Sequence, residues 1–310
     1  MTENKLVPIL KAESIHHREN PSIIAAKRFL KHSSARLGLV LLGVLVVFAV
    51  FAEQLAPYDP IVPLETVKRR TPPCVHLLGC DPTQEEHIMG IDGNTRDLFS
   101  RIVFGARLSL QVGVATVTLA IIIGGLLGAI AGFVGGWLDD VIMRSLDVLM
   151  AFPSLLLAIA IVSALGPGLL NALLAIAIVE IPIFARVVRS SVITIRELDF
   201  VMASKSLGAS DLRILFTRIL PNSLTPLIVQ GTLGIASAIL SAAALSFLGL
   251  GAQPPTPEWG AMMGAERNSV FSAPFLVFFP GLAIMVTVLS FNLLGDALRD
   301  VLDPRLVHGG

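Results

Sequence analysis

Charge is what this 310-residue chain has least of: 15% of its positions are Asp, Glu, Lys or Arg, against roughly a quarter in an average soluble domain. Set beside 54% hydrophobic residues and a mean hydropathy of +0.78, that scarcity excludes a soluble globular protein. Net charge is missing too. The 23 basic and 23 acidic residues cancel, so no bulk field points to nucleic acid. None of the six histidines falls in a long apolar run, which removes the nucleophile–base pair an intramembrane protease would need. There is no Gly-x-x-x-x-Gly-Lys-Ser/Thr loop to cradle ATP, and Gly249-x-Gly251 is too short and wrongly placed for a dinucleotide site; it reads as a helix end. No repeat of fixed period is visible, nor the inverted repeats of a self-sufficient secondary transporter, the alternative from another class.

Long apolar runs, in contrast, are plentiful. A span needs ~20 mostly apolar residues, and about six candidates stand out: Leu37–Ala52, Ala106–Phe133, Val141–Leu165, Leu169–Ala185, Ser223–Leu250 and Phe275–Leu294. The first is short and is expected to extend into Ser33–Arg36 and Glu53–Ala56. The leader is polar and no small-residue cleavage site follows the first run, so no cleavable signal is expected. Lysine and arginine set the orientation. Lys5, Lys11, Arg18, Lys27, Arg28, Lys31 and Arg36 precede the first run, and Arg186, Arg189, Arg196, Lys205, Arg213 and Arg218 fall between the fourth and fifth. With an even number of spans both clusters and the C-terminus lie in the cytoplasm: N-in, C-in.

The expected organisation is an all-α integral membrane protein in five parts. Residues 1–36 are a cytoplasmic segment with a surface helix from Pro21, 37–56 the first transmembrane helix, and 57–105 an extracytoplasmic segment. Residues 106–305 form a five-helix core with a cytoplasmic insert at 186–221, and 306–310 a tail. Six prolines between Pro57 and Pro82 argue against long regular elements in the outer segment, and Asn94 or Thr95 is placed to cap a short helix leading into the second span. Gly124, Gly128 and Gly132 give the small-xxx-small spacing that lets helix backbones approach closely.

The insert, RVVRSSVITIRELDFVMASKSLGASDLRILFTRILP, is polar where its flanks suit lipid. Phe200–Leu207 followed by Gly208 reads as a helix with a glycine stop. Ser210 is placed to cap a second helix, with Asp211 in its first turn, an apolar stripe of Leu212, Leu215, Phe216 and Ile219, and Pro221 as its end. Such a finger either fits a partner's groove or lies on its own bundle.

Within the spans, Glu180 is the costly residue; it either borders a cavity, meeting a substrate amine or a cation, or is hydrogen-bonded between helices. Arg144 and Asp147, three apart, are expected to pair with each other. On the outer side Cys74 and Cys80 are expected to form a disulfide; a metal site with His76 and His87 is the alternative.

Met202-Ala203-Ser204-xxx-Gly208 followed by Ile219-Leu220-Pro221 resembles the EAA-xxx-G…LP signature of bacterial ABC-importer permeases. Ala56-Pro57-Tyr58-Asp59-Pro60, Arg96–Arg101, Ala151-Phe152-Pro153-Ser154, Ser246–Gly251, Gln253–Gly260 and Phe291–Asp296 together resemble the C-type permease of the dipeptide/oligopeptide/nickel importer family. The likeness runs from about residue 25 to Arg305. It departs at Met202, where the family's motif opens with an acid, and between Pro73 and Gly93, where this chain is longer.

The resemblance implies a type I permease fold in the bacterial inner membrane, forming half of a pathway for di- or oligopeptides; nickel or another small solute is the alternative within the family. It implies a second homologous permease, two cytoplasmic ATPases and an extracytoplasmic binding protein as partners, beside the bilayer and no nucleic acid. ATP and Mg would sit on the partner ATPases, with no cofactor, metal or catalytic residue on this chain. The ATPase contact would be Phe200, Met202, Ala203, Ser204, Leu207, Gly208, Ala209 and Asp211, and the pathway residue Glu180.

Overall fold

The computed structural model describes residues 21–302; leader cations Lys5, Lys11 and Arg18 and the tail 306–310 lie outside them. Twelve α-helices and no extended strands make up the described residues. A surface helix α1 (Pro21–Lys31) leads into α2 (Ser33–Val50), which Phe51 separates from a single turn, α3 (Ala52–Leu55). After the outer segment, α4 (Leu98–Val134) crosses as one helix of 37 residues. It begins at Asp97, whose carboxylate accepts from the Ser100 N–H at 2.7 Å, so Asp97 and not Asn94 or Thr95 is the cap.

Five helices are long and apolar enough to cross a membrane, or six spans if one bent pair of helices counts as a span. The run expected as one span at Val141–Leu165 is instead α5 (Gly136–Met150) and α6 (Ser154–Leu165), turned 91° from each other. Pro153 causes the break: it has no N–H to donate, and its ring forces the preceding residue out of the helical region.

The remaining spans are α7 (Leu169–Arg196), α10 (Leu220–Phe247) and α12 (Phe275–Leu302). Here the expected boundaries of the insert move. α7 continues eleven residues past Ala185, to Arg196. After a short helix α8 (Asp199–Ser206), α9 (Asp211–Ile214) joins α10 through a π turn at Leu215–Ile219. Pro221 therefore does not end a helix; it lies in the first turn of α10, where a missing N–H costs least. The departure from the bundle shrinks to residues 197–210.

Because lipid is as apolar as a leucine side chain, helices in a bilayer gain little from burying apolar area and depend on close packing. α4 and α7 achieve it along the glycine stripe. A Cβ added at Gly124 would come within 2.6 Å of the Ile181 carbonyl oxygen, one at Gly132 within 2.8 Å of the Arg189 carbonyl, and one at Gly128 would collide with the Ala185 backbone. Phe184 and Ala185 of α7 are wholly buried in this seam.

The two ends of the bundle differ. At one, the outer segment folds onto α11 (Trp259–Glu266): Arg70 Nε donates to Glu266 at 3.1 Å, and Arg101 reaches the Pro60 and Pro255 carbonyls at 2.6 and 3.2 Å. At the other, His32 of the linker after α1 lies 3.4 Å from Asp300 at the end of α12. Gly128→Val is expected to destabilise the chain by roughly 1–3 kcal/mol, the usual cost of overpacking. A thermal scan in detergent should show this as a lower Tm, with Gly43→Val, where an added Cβ meets nothing, close to wild type.

Candidate functional site

The polar end is built around residues 197–210. Helix α8 stops where Gly208 takes φ +81, a conformation suited to glycine, and its N–H returns to the Lys205 carbonyl at 3.0 Å. Ser210 occupies the cap position of α9, but its side chain makes no capping bond. Val201 is the anchor. It is buried with Val192, Ile195, Ile214, Leu215 and Ile219, fixing the knob to the base of α7 and α9.

Its other apolar side chains point away. Leu207 is 88% exposed and Met202 51%, and Phe200 is exposed beside them. The stripe expected on the second helix divides: Leu215 and Ile219 are buried with Ile214, while Leu212 and Phe216 face outward with the knob. The π turn inserts a residue's worth of rotation between them. Of the eight residues expected to meet an ATPase, Phe200, Met202, Ala203, Leu207, Gly208 and Asp211 are exposed, and Ser204 and Ala209 half-buried. Nothing charged pairs with position 202, and the nearest exposed ion pair, Lys205 to Asp211 at 4.0 Å, is worth little.

Half of the basic residues of the insert do not contribute to that surface. Arg189 makes a bidentate pair with Asp139 of α5, both bonds 2.5 Å long, and Arg186 meets Asp147 at 2.5 Å. The expected Arg144–Asp147 pair is thus replaced by one between helices, which holds the bent α5 against α7. Arg196 donates to the Gly132 and Phe133 carbonyls at 3.2 and 3.0 Å, closing the C-terminal end of α4. Sequence spacing reads these as surface charge because their partners lie 39 to 64 residues away.

Glu180 is 6% exposed and accepts a hydrogen bond from Ser237 of α10 at 3.2 Å. It lies between α7 and α10, in the hydrogen-bonded position. Ser237 carried no signal in the sequence, since a serine in an apolar run usually bonds its own helix.

On the outer side Cys74 and Cys80 are joined in a disulfide, which removes the thiolates that a Cys/His metal site would use. His87 is buried with its Nδ1 3.1 Å from Asp97, and His76 Nε2 is 2.8 Å from the Gln84 carbonyl. Among the described residues no group of three or more His, Cys, Asp and Glu side chains is arranged to hold a metal ion.

Comparison with known proteins agrees with this layout. Residues 124–308 match the family described as binding-protein-dependent transport system inner membrane component, and residues 21–73 the N-terminal TM domain of oligopeptide transport permease C. The chain is 52% identical to the dipeptide transport system permease protein DppC of Alkalihalophilus pseudofirmus, over 91% of this chain and 89% of that one. It is 48% identical to the di/tripeptide transport system permease protein DppC of Pseudomonas aeruginosa, over 89% of each. With the glutathione transport system permease protein GsiD of Pectobacterium atrosepticum it shares 44% over 90% of each chain.

At the outer end a buried acid gives the bundle a pH dependence. Glu258 caps α11, accepting from the Ala261 N–H at 2.7 Å. Burial pushes its pKa above the usual 4.5, against the opposing pull of the Ala261 and Gly260 N–H groups and the Ser246 hydroxyl. A carboxyl whose folded pKa exceeds its unfolded one contributes stability that is complete below the unfolded value and lost as pH rises through the folded value. The Tm of wild type minus that of Glu258→Gln should therefore fall as the pH rises above the ordinary carboxyl range. A difference that stays flat would mean the acid titrates normally.

Proposed function

This chain belongs to the family of binding-protein-dependent transport system inner membrane components, and from that membership we propose that it forms half of the pathway by which an ATP-driven importer moves di- and oligopeptides. It is a multi-pass permease subunit of the bacterial inner membrane, of the C type found in dipeptide importers. Its partners in this reading are a second, homologous permease, two cytoplasmic ATPases that carry ATP and Mg, and an extracytoplasmic binding protein. The chain itself needs no cofactor. Relatives named as dipeptide, di/tripeptide and glutathione permeases favour a peptide substrate over nickel.

One observation carries the coupling role: the knob at 197–210 is fixed on one side and bare on the other. Val201 holds it to α7 and α9, while Leu207, Met202, Phe200, Leu212 and Phe216 present apolar surface beyond the basic end of the bundle. An exposed apolar patch of this kind marks an interaction site. Seated in a cleft of an ATPase, it would follow each closure driven by ATP. The movement would pass directly into α7 and α10, whose helices emerge from the two sides of the knob, and switch the bundle between inward-open and outward-open. At the opposite end the binding protein would release its peptide.

Leu207→Asp places a carboxylate where an apolar groove should receive a leucine. In the full complex it should lower peptide-stimulated ATP hydrolysis and uptake about ten-fold or more. Assembly with the second permease should survive, as judged by co-purification. Full coupling in this variant would remove the knob from the mechanism.

A further inference from the structure

The face of α10 left uncovered by the chain's other helices carries hydrogen-bonding groups along its length. Asn222, Gln230, Ser237 and Ser241 are all exposed or half-buried and recur at eight, seven and four residues, which keeps them on one side of a helix. From Gln230 to Ser241 the rise is about 16 Å, and from Asn222 about 28 Å, close to the ~30 Å of a hydrocarbon core. The outward stripe of α12, in contrast, is apolar through Phe278, Leu282, Met285 and Leu289, as contact with lipid requires.

Several other hydroxyls in the spans are closed on their own helices: Thr232 on the Ile228 carbonyl at 2.9 Å, Thr287 on Ala283 at 2.8 Å, Ser290 on Thr287 at 2.7 Å; the Thr116 hydroxyl of α4, also without a partner, is buried inside the bundle and not on an open face. The stripe differs. Among the described residues the side chains of Gln230 and Ser241 have no hydrogen-bond partner. Ser237 gives its proton away from its own helix, to the buried Glu180. Unpaired amides and hydroxyls are costly against hydrocarbon, so this face meets something polar. Gln111 and Thr118 of α4 are exposed too, yet neither is backed by a charge.

Toward the knob the stripe opens on a cavity of about 560 Å³, walled by Asn222, Pro226 and Gln230 of α10, Val187 of α7 and Arg299 of α12. Pro226 has no N–H, which leaves the Asn222 carbonyl without its helical donor at that wall.

We propose that Gln230, Ser237 and Ser241 form the strip that contacts the substrate, and that the substrate is a short peptide with a free ammonium terminus. Glu180 is a positioning residue behind it. A serine hydroxyl has one proton and two lone pairs. With the proton held by Glu180, Ser237 shows the pathway only acceptor character, the complement of an ammonium or amide N–H. Gln230 offers a donor and an acceptor together, the complement of a peptide bond. The strip itself carries no full charge, so it guides without trapping. Arg299, at the far end of the cavity, attracts the carboxylate terminus as the peptide leaves. The inference rests on the importer reading and names the residues that serve it.

The test uses the whole complex, with its binding protein and ATPases, in proteoliposomes. Both native cysteines are in the disulfide, so single cysteines at Gln230, Ser237, Ser241 and Leu282 can be labelled with a hydrophilic methanethiosulfonate reagent. The three strip positions should label and Leu282→Cys should not; dialanine should slow strip labelling about ten-fold. Ser237→Ala should raise KM for dialanine uptake about ten-fold at unchanged maximal rate. Glu180→Leu, which leaves no acceptor for the Ser237 proton, should do the same, with the double variant no worse than either alone. Strip cysteines that resist the reagent, or that label without peptide protection and crosslink to the second permease, would make this face a subunit seam and overturn the proposal. Absence of dialanine uptake by the wild-type complex would instead count against the importer reading.

Discussion

The close approach of α4 and α7 is the contact on which the rest of the bundle depends. In lipid the helices have no water to escape from, so the backbone contact made possible by Gly124, Gly128 and Gly132 replaces the hydrophobic drive of a soluble core. It also sets the register of everything α7 carries. With Ala185 seated against Gly128, Arg189 comes to Asp139 and Arg186 to Asp147, while Arg196 reaches the carbonyls that end α4. Glu180, one turn and a half above Ala185, comes opposite Ser237. A shift of one residue along the seam would unpair four charged groups at once, three of them at the end that supports the knob.

The arginines therefore do two jobs that are usually treated as one. Positive charge beside the spans sets orientation during insertion whether or not it is paired later. In the folded chain Arg186, Arg189 and Arg196 are internal ties and offer little to a partner, while Lys205, Arg213 and Arg218 stay exposed around the knob. Met202 is exposed and lines one cavity with Arg196 and Lys205, and nothing in the structure explains the missing acid at this position.

The long apolar runs made the crossing helices legible, since twenty apolar residues admit few other structures in water or lipid. Gly208 marked its turn for the same kind of reason: few other residues take φ +81 cheaply. The boundaries were harder. Composition changes where a helix leaves hydrocarbon, not where its hydrogen bonds end, so α7 ran on to Arg196 and the polar stretch after Asp211 turned out continuous with α10. Proline alone does not mark the 91° break at Pro153, because it is also tolerated inside these helices at Pro182, Pro226 and Pro280. Only the neighbours of each proline decide. The pairs Arg189–Asp139 and Ser237–Glu180 were invisible because a sequence fixes spacing along one helix and says nothing of which faces meet.

Continuity between α9 and α10 joins the two proposed surfaces mechanically. From Asp211, beside the knob, to Ser237, in the strip, is one helical path of about 39 Å at the standard rise. The π turn at Leu215–Ile219 lies between them and is the irregular point of that path. A π turn holds its residues with a wider, less regular hydrogen-bond ladder, and Pro221 just beyond it has no N–H to tie back to Thr217. Ile214 of α9 and Leu215 and Ile219 of the turn itself pack with the knob's anchor, Val201; above the turn Gly231 and Gly234 hold α10 against α4 and Phe184 of α7. In the proposed cycle a displacement of the knob would be divided between bending at the π turn and rotation of α10. Rotation would be the component that matters for transport: it would turn Gln230, Ser237 and Ser241 together, since they share one face. It would also pull Ser237 against its bond to Glu180, whose helix emerges from the other side of the same knob.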